Sequence, residues 1–234
     1  MTLPNDMSST KKKARIAGFI YLLLVISSVV SLLYIPSTYI VSGDATATVN
    51  NITSSNLLFR IGIFTSFVSQ IIFVILVLAL YRLLKEINHM HALLMVILVV
   101  ISVSTAFLNT FNNIAALIIL SGADFLSVFE QPELDALAYL FLRLHSQGIQ
   151  AIQVFWGLWL FPFGLLVIRS GFIPKVLGLL LIIAGSGYLL GSFTSLVLPQ
   201  YSKTIFPLLT FLEMGELPIV LWLLLVGAKA DVSK

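Results

Sequence analysis

The sequence predicts an all-α integral membrane bundle of six transmembrane helices, and three observations carry that prediction. Hydrophobic residues fill 59% of the 234 positions and charged residues only 10%, against about 45–50% and about 25% in soluble domains. Mean hydropathy is +1.07, so the chain lacks the polar surface that coats a water-exposed globule. Six separate segments also reach the roughly 20 mostly apolar residues that a helix needs to cross hydrocarbon.

The first span, residues 16–35, directly follows Lys11-Lys12-Lys13-Ala14-Arg15. Its basic start resembles that of a signal peptide. The apolar run exceeds the about 7–15 residues of such a peptide's core, however, and no small-x-small cleavage site follows promptly, so it reads as a retained anchor. The second span covers 61–81, the third 91–112, the fourth 148–168, the fifth 176–198 and the sixth 207–227. These bounds give a disordered basic cytoplasmic tail over 1–12, one transmembrane domain over 13–227 and a short cytoplasmic tail over 228–234.

Orientation follows from the basic residues. With the N-terminus in the cytoplasm, that side holds Lys11, Lys12, Lys13, Arg15, Arg82, Lys85, Arg169, Lys175, Lys229 and Lys234. The outer loops then hold only Lys203, with Arg60 and Arg143 at outer span edges, while Asp44, Asp124, Glu130, Glu133 and Asp135 all fall outside. That bias places both termini in the cytoplasm of a cell-membrane protein. It also accounts for the formal charge of +3 without any nucleic acid partner.

The loops agree with this layout. Short inner connections, 82–90 and 169–175, make their flanking helices antiparallel neighbours. Residues 36–56, rich in Ser, Thr, Asn and Gly, read as a polar outer loop without helical periodicity. Its Asn51-Ile52-Thr53 matches a glycosylation acceptor, a triplet that is common by chance. Glu130-Gln131-Pro132-Glu133 sets proline and acids where a helix start favours them. From Pro132 a helix runs to Ile168, about 55 Å at 1.5 Å per residue. That is longer than the roughly 30 Å of hydrocarbon.

Several chemistries are excluded or weak. Cysteine is absent, which removes disulfides, thiolate nucleophiles and iron–sulfur clusters. No Gly-rich phosphate loop is present, and no cofactor is implied. His89 and His91 diverge by about 200° on a helix, which argues against a metal pair. No GxSxG elbow accompanies the serines. Gly178, Gly185, Gly187 and Gly191 read as a small-residue packing face of the fifth span, with Tyr188 as an interior hydroxyl.

Polar residues inside hydrocarbon cost about 2.5–3.5 kcal/mol each when ionisable, so their placement carries the functional reading. Arg60 stands at the outer edge of the second span, and Asn109, Asn112 and Asn113 at the outer end of the third. Arg143, His145, Gln147, Gln150 and Gln153 enter from the outer end of the fourth. Glu213 and Glu216 lie about 9 and 14 Å into the sixth, spaced i, i+3 on one face. Pro218 and Gly215 favour a local kink beside them. Arg143, Ser146, Gln147, Gln150 and Gln153 share one helical stripe, whereas His145 points nearly opposite Arg143.

The expectation is an outward-facing polar cavity formed by Glu213, Glu216, His145, Arg143, Arg60, Gln147, Gln150, Asn109 and Asn112. The plainer reading makes the carboxylates ion-pair partners of Arg60 or Arg143 and the amides interhelical glue. A His145–Glu213–Glu216 metal set is a third option that no motif spacing supports.

Leu144-His145, Phe155-Trp156-Gly157-Leu158-Trp159-Leu160-Phe161-Pro162-Phe163-Gly164 and Arg169-Ser170-Gly171-Phe172-Ile173-Pro174-Lys175-Val176-Leu177-Gly178 together resemble a known family. It is the uncharacterised multispan membrane proteins catalogued as domain of unknown function 4386. Lys13-Ala14-Arg15-Ile16-Ala17-Gly18 and Glu216 with Leu221-Trp222-Leu223-Leu224 fit the same resemblance. It implies a single membrane-embedded domain without an assigned activity, and it singles out His145, Arg169, Ser170 and Glu216 for testing.

Three functions stay open. The first is binding or transport of a small polar or cationic solute, with Glu213 or Glu216 as counter-charge or proton carrier. The second is a structural or accessory role among membrane lipids. The third is a membrane-embedded enzyme acting on lipid or peptide.

Overall fold

In the computed structural model, which describes residues 4–229, every span is one long helix or a chain of short ones. Helix α1 (Pro4–Ser28) passes through a π-helical stretch, Val29–Tyr34, into α2 (Ile35–Tyr39). The cause is Pro36, which has no N–H for the carbonyl four residues back. The Ile35 N–H bonds the Val30 carbonyl instead, widening the turn. The Thr38 hydroxyl caps the Tyr34 carbonyl at 2.7 Å. The basic stretch expected as a disordered tail is therefore helical from Pro4. Residues 1–3 of that tail and 230–234 of the C-terminal one lie outside the described residues.

Residues 36–56 correct the expected polar loop, because α3 (Ala45–Ser54) lies within them. Asp44 caps its start, accepting the Ala47 N–H at 2.8 Å, as an N-cap aspartate does. Thr48, Val49 and Ile52 form its buried face. Hydroxyls of Thr53 and Ser54 bond back to the Val49 and Asn51 carbonyls, which satisfies these polar side chains within the helix.

Helices α4 (Asn56–Leu84) and α5 (His89–Ile119) follow, then α6 (Gln131–Arg169), α7 (Lys175–Val197), α8 (Ser202–Glu213) and α9 (Leu217–Leu225). Among the described residues, six stretches are long and apolar enough to cross a membrane: Ser8–Tyr39, Asn56–Leu84, His89–Ile119, Gln131–Arg169, Lys175–Val197 and Pro199–Leu225. The 39 residues of α6 start where the Pro132 signal places them. The Glu130 N–H is held by the Glu133 carboxylate at 2.9 Å.

Two compact units divide the chain. The first takes residues up to Leu23, Ile72–Val103 and everything from Gln150; the second takes Leu24–Ile71 and Ser104–Ile149.

In the first unit, α6 and α7 meet along a glycine seam. A methyl on Gly157 would lie 2.6 Å from the Gly185 carbonyl oxygen, and one on Gly164 would lie 2.7 Å from that of Gly178. Backbones this close tolerate no side chain, as in small-residue membrane contacts. Trp159 stacks on Phe163 at 5.3 Å and meets Phe73 edge-on at 5.2 Å. Gly18 of α1 lies against the Leu223–Leu224 backbone.

In the second unit, α3 packs its Val49 and Ile52 into a cluster with Ile35, Tyr39, Phe59, Ile63, Ala116, Leu117, Ala138 and Leu142. The Gly43 N–H, in the turn before α3, bonds the Tyr139 hydroxyl at 2.8 Å.

Candidate functional site

The sixth span breaks its α-helix at Met214–Glu216, a 3-10 turn between α8 and α9. Pro218 again explains the geometry. It offers no N–H to the Met214 carbonyl, which the Leu217 N–H bonds instead, one residue short of the α pattern. In a 3-10 turn, side chains at i and i+3 nearly eclipse, so this turn directs Glu213 and Glu216 to one side. Gly215 makes the approach possible, since a methyl there would lie 2.9 Å from the Leu180 carbonyl oxygen on α7.

Glu216 is held from two helices. The Tyr21 hydroxyl of α1 donates to its Oε1, and the Tyr188 hydroxyl of α7 donates to Oε2 at 3.3 Å. Tyr21 is only 1% exposed. Trp156 stands edge-on to Tyr188 at 6.3 Å and Trp159 lies 6.3 Å from the Tyr21 ring, so both phenols are positioned by aromatic packing.

Glu213 is in a different state. It makes no hydrogen bond or ion pair to any described residue, although its chain packs against Gly187 of α7. A methyl on Gly191 would lie 3.4 Å from Gln153 Oε1 and 3.6 Å from Glu213 Oε1, so α6, α7 and α8 bring these two oxygens to one small gap. Gln150, one turn before Gln153, has a buried amide oxygen with no hydrogen-bond partner among the described residues. Among the described residues the single ion pair is Lys85–Glu86 at 3.7 Å.

The second unit joins another subset of the predicted residues. His145 Nδ1 lies 3.1 Å from the Asn109 carbonyl oxygen. The same ring nitrogen lies 3.3 Å from the Asn109 amide nitrogen. The Asn109 amide donates to the His145 carbonyl at 2.9 Å, and the Asn112 amide reaches the Asn109 carbonyl at 3.1 Å. Asn109 also covers Gly148, leaving no room there for a side chain. This network locks α5 to α6.

Arg60 is exposed, and its Nε donates to the Asn56 side chain one turn earlier. It borders a cavity of about 400 Å³ lined by Ile63, Phe64, Phe67, Ile114 and Leu117. Arg143 and Gln147 are exposed and bond no described residue. No three His, Asp or Glu side chains converge as metal donors among the described residues.

Sequence reasoning missed Tyr21 and Ser192. A tyrosine within an apolar run gives no periodic signal. Ser192, fully buried with an unpartnered hydroxyl, carried a weak one: it lies seven residues after Gly185 on the small-residue face.

These features define a multi-pass membrane protein with six membrane-spanning helices and a carboxylate–phenol cluster inside its spans. Residues 16–227 match the family described as "Domain of unknown function (DUF4386)", and the chain belongs to that family. A protein of Archaeoglobus fulgidus described as "Uncharacterized protein" is 34% identical over 76 residues, which is 32% of this chain and 44% of that protein. The chain thus spans less than half the length of the curated relative it matches. No solved structure matches the chain.

Proposed function

We propose that this protein binds a small cationic solute within the membrane, with Glu213 as its counter-charge and Glu216 as the fixed anchor beside it. The observation that carries the reading is the contrast between the two carboxylates. Tyr21 and Tyr188 occupy both oxygens of Glu216, whereas Glu213 has neither a hydrogen bond nor a cationic partner among the described residues. An unpaired carboxylate in a span is costly, and a cationic ligand removes that cost. The basic-residue bias supports both termini in the cytoplasm, with the helices in a cell membrane among its lipids.

A structural or accessory role is the second reading, favoured by the Asn109–His145 contacts, which tie α5 to α6. One experiment separates the two. Purified protein in lipid nanodiscs is titrated with ammonium, guanidinium, tetramethylammonium and sodium chlorides while thermal unfolding is followed. Saturable stabilisation by at least one cation is expected, lost in Glu213→Gln. A response identical in wild type and Glu213→Gln would leave only the structural role.

A further inference from the structure

The glycine seam between α6 and α7 has a regular register. Gly164 faces Gly178 and Gly157 faces Gly185, so each step of seven residues back along α6 matches seven forward along α7. The next step of the same seam is Gln150 and Ser192. Here the glycines stop and polar side chains begin. Both Ser192 Oγ and Gln150 Oε1 are buried without a hydrogen-bond partner among the described residues, and Ser192 is 0% exposed. Beside them, Gln153 Oε1 and Glu213 Oε1 converge on the gap over Gly191.

A buried polar atom without a partner costs about 1–3 kcal/mol, and at this level the seam and the gap beside it carry two, next to an unpaired carboxylate. All four groups are oxygen donors. Three are neutral and one carries a single negative charge. Oxygen donors suit hard cations rather than transition metals, and a single carboxylate balances a single positive charge.

We propose that Gln150, Gln153, Ser192 and Glu213 form a binding site for a dehydrated monovalent alkali cation, roofed by the missing side chain of Gly191. This inference rests on the cation-binding reading above and names the ligand class for its free carboxylate. Side-chain oxygens replace water around the ion, which is how a cation is held where hydrocarbon excludes solvent. A methyl on Gly191 fills the space over which the Gln153 and Glu213 oxygens meet, so the site requires glycine there.

The test uses the full chain in nanodiscs at constant ionic strength, with radioactive sodium as the probe and potassium or N-methylglucamine as competitor. Saturable sodium binding of one ion per chain is expected, displaced by potassium if the site takes both alkali ions and never by N-methylglucamine. Ser192→Ala and Gln150→Leu should each weaken it at least tenfold, and Gly191→Ala likewise, while Lys203→Gln, at an exposed position outside the cluster, leaves it unchanged. Retained stabilisation by an organic cation in Ser192→Ala shows that this variant is folded. No saturable sodium binding in wild type, or unchanged binding in all three site variants, overturns the proposal. Organic cations that still stabilise wild type in a Glu213-dependent way, without sodium binding, overturn the alkali site alone. Silence toward every cation overturns the broader reading as well.

Discussion

The Tyr21 hydroxyl donates to Oε1 of Glu216, joining the first span to the last across 195 residues of sequence. Tyr21→Phe removes only the hydroxyl and leaves the ring against Trp159. The expected loss is about 1–3 kcal/mol, the range for a buried hydrogen bond with neutral to charged acceptors. Glu216→Gln should lose a similar amount, and the double variant less than the sum, because the residues share one bond. Unfolding of the four proteins in mixed micelles gives the coupling directly. Strict additivity would mean that the two side chains do not interact.

The α6–α7 seam makes a sharper steric prediction. Gly185→Ala sets a methyl 2.8 Å from the Gly157 carbonyl oxygen, and both are backbone-fixed. The helices must separate, at about 1–3 kcal/mol for such overpacking. Gly191→Ala meets its neighbours at 3.4 Å or more, an ordinary contact, and should leave the unfolding midpoint nearly unchanged. Equal midpoints for the two variants would contradict the seam.

The six spans were legible because length and apolar content alone decide whether a helix crosses hydrocarbon. The long α6 was legible too, since Glu130 to Glu133 spell out a helix start. Helix α3 was not. Its buried face is only Thr48, Val49 and Ile52 among threonines and asparagines, too short a pattern to register beside the Gly, Ser and Asn content. The candidate site was half legible. Depth along a span set Glu213, Glu216 and Gln153 within the candidate spans, but depth does not reveal lateral neighbours. Those neighbours decide that Glu216 meets Tyr21 and that His145 meets Asn109. Tyr188 was visible because it interrupts a glycine face, whereas Tyr21 lies in a run where an aromatic ring is unremarked.

Asn109 binds α6 through its side-chain amide, while its backbone carbonyl lies 3.1 Å from His145 Nδ1. Asn109→Ala removes the amide donor and opens space over Gly148, so about 1–3 kcal/mol should be lost locally. Hydrogen exchange resolved by segment is the right measurement, because the loss belongs to 104–112 and 141–149. Faster exchange there, with 176–190 unchanged, is the expected pattern. Uniform acceleration along the chain would show that the network has no local role.

The absence of cysteine makes the proposed orientation unusually easy to check, since any introduced thiol is the only one. Asp124, in the connection between α5 and α6, and Glu86, between α4 and α5, are both exposed, and a single span, α5, separates them. They must therefore lie on opposite sides of the membrane whatever the absolute orientation. The proposed orientation, drawn from the clustering of Lys11, Lys12, Lys13, Arg82 and Lys85, puts the Glu86 side in the cytoplasm. Asp124→Cys should react with a membrane-impermeant maleimide on intact cells, and Glu86→Cys only after permeabilisation. The reverse result would invert the orientation but keep the six spans. Labelling of both on intact cells would break the antiparallel order itself, because α5 would then not cross the membrane.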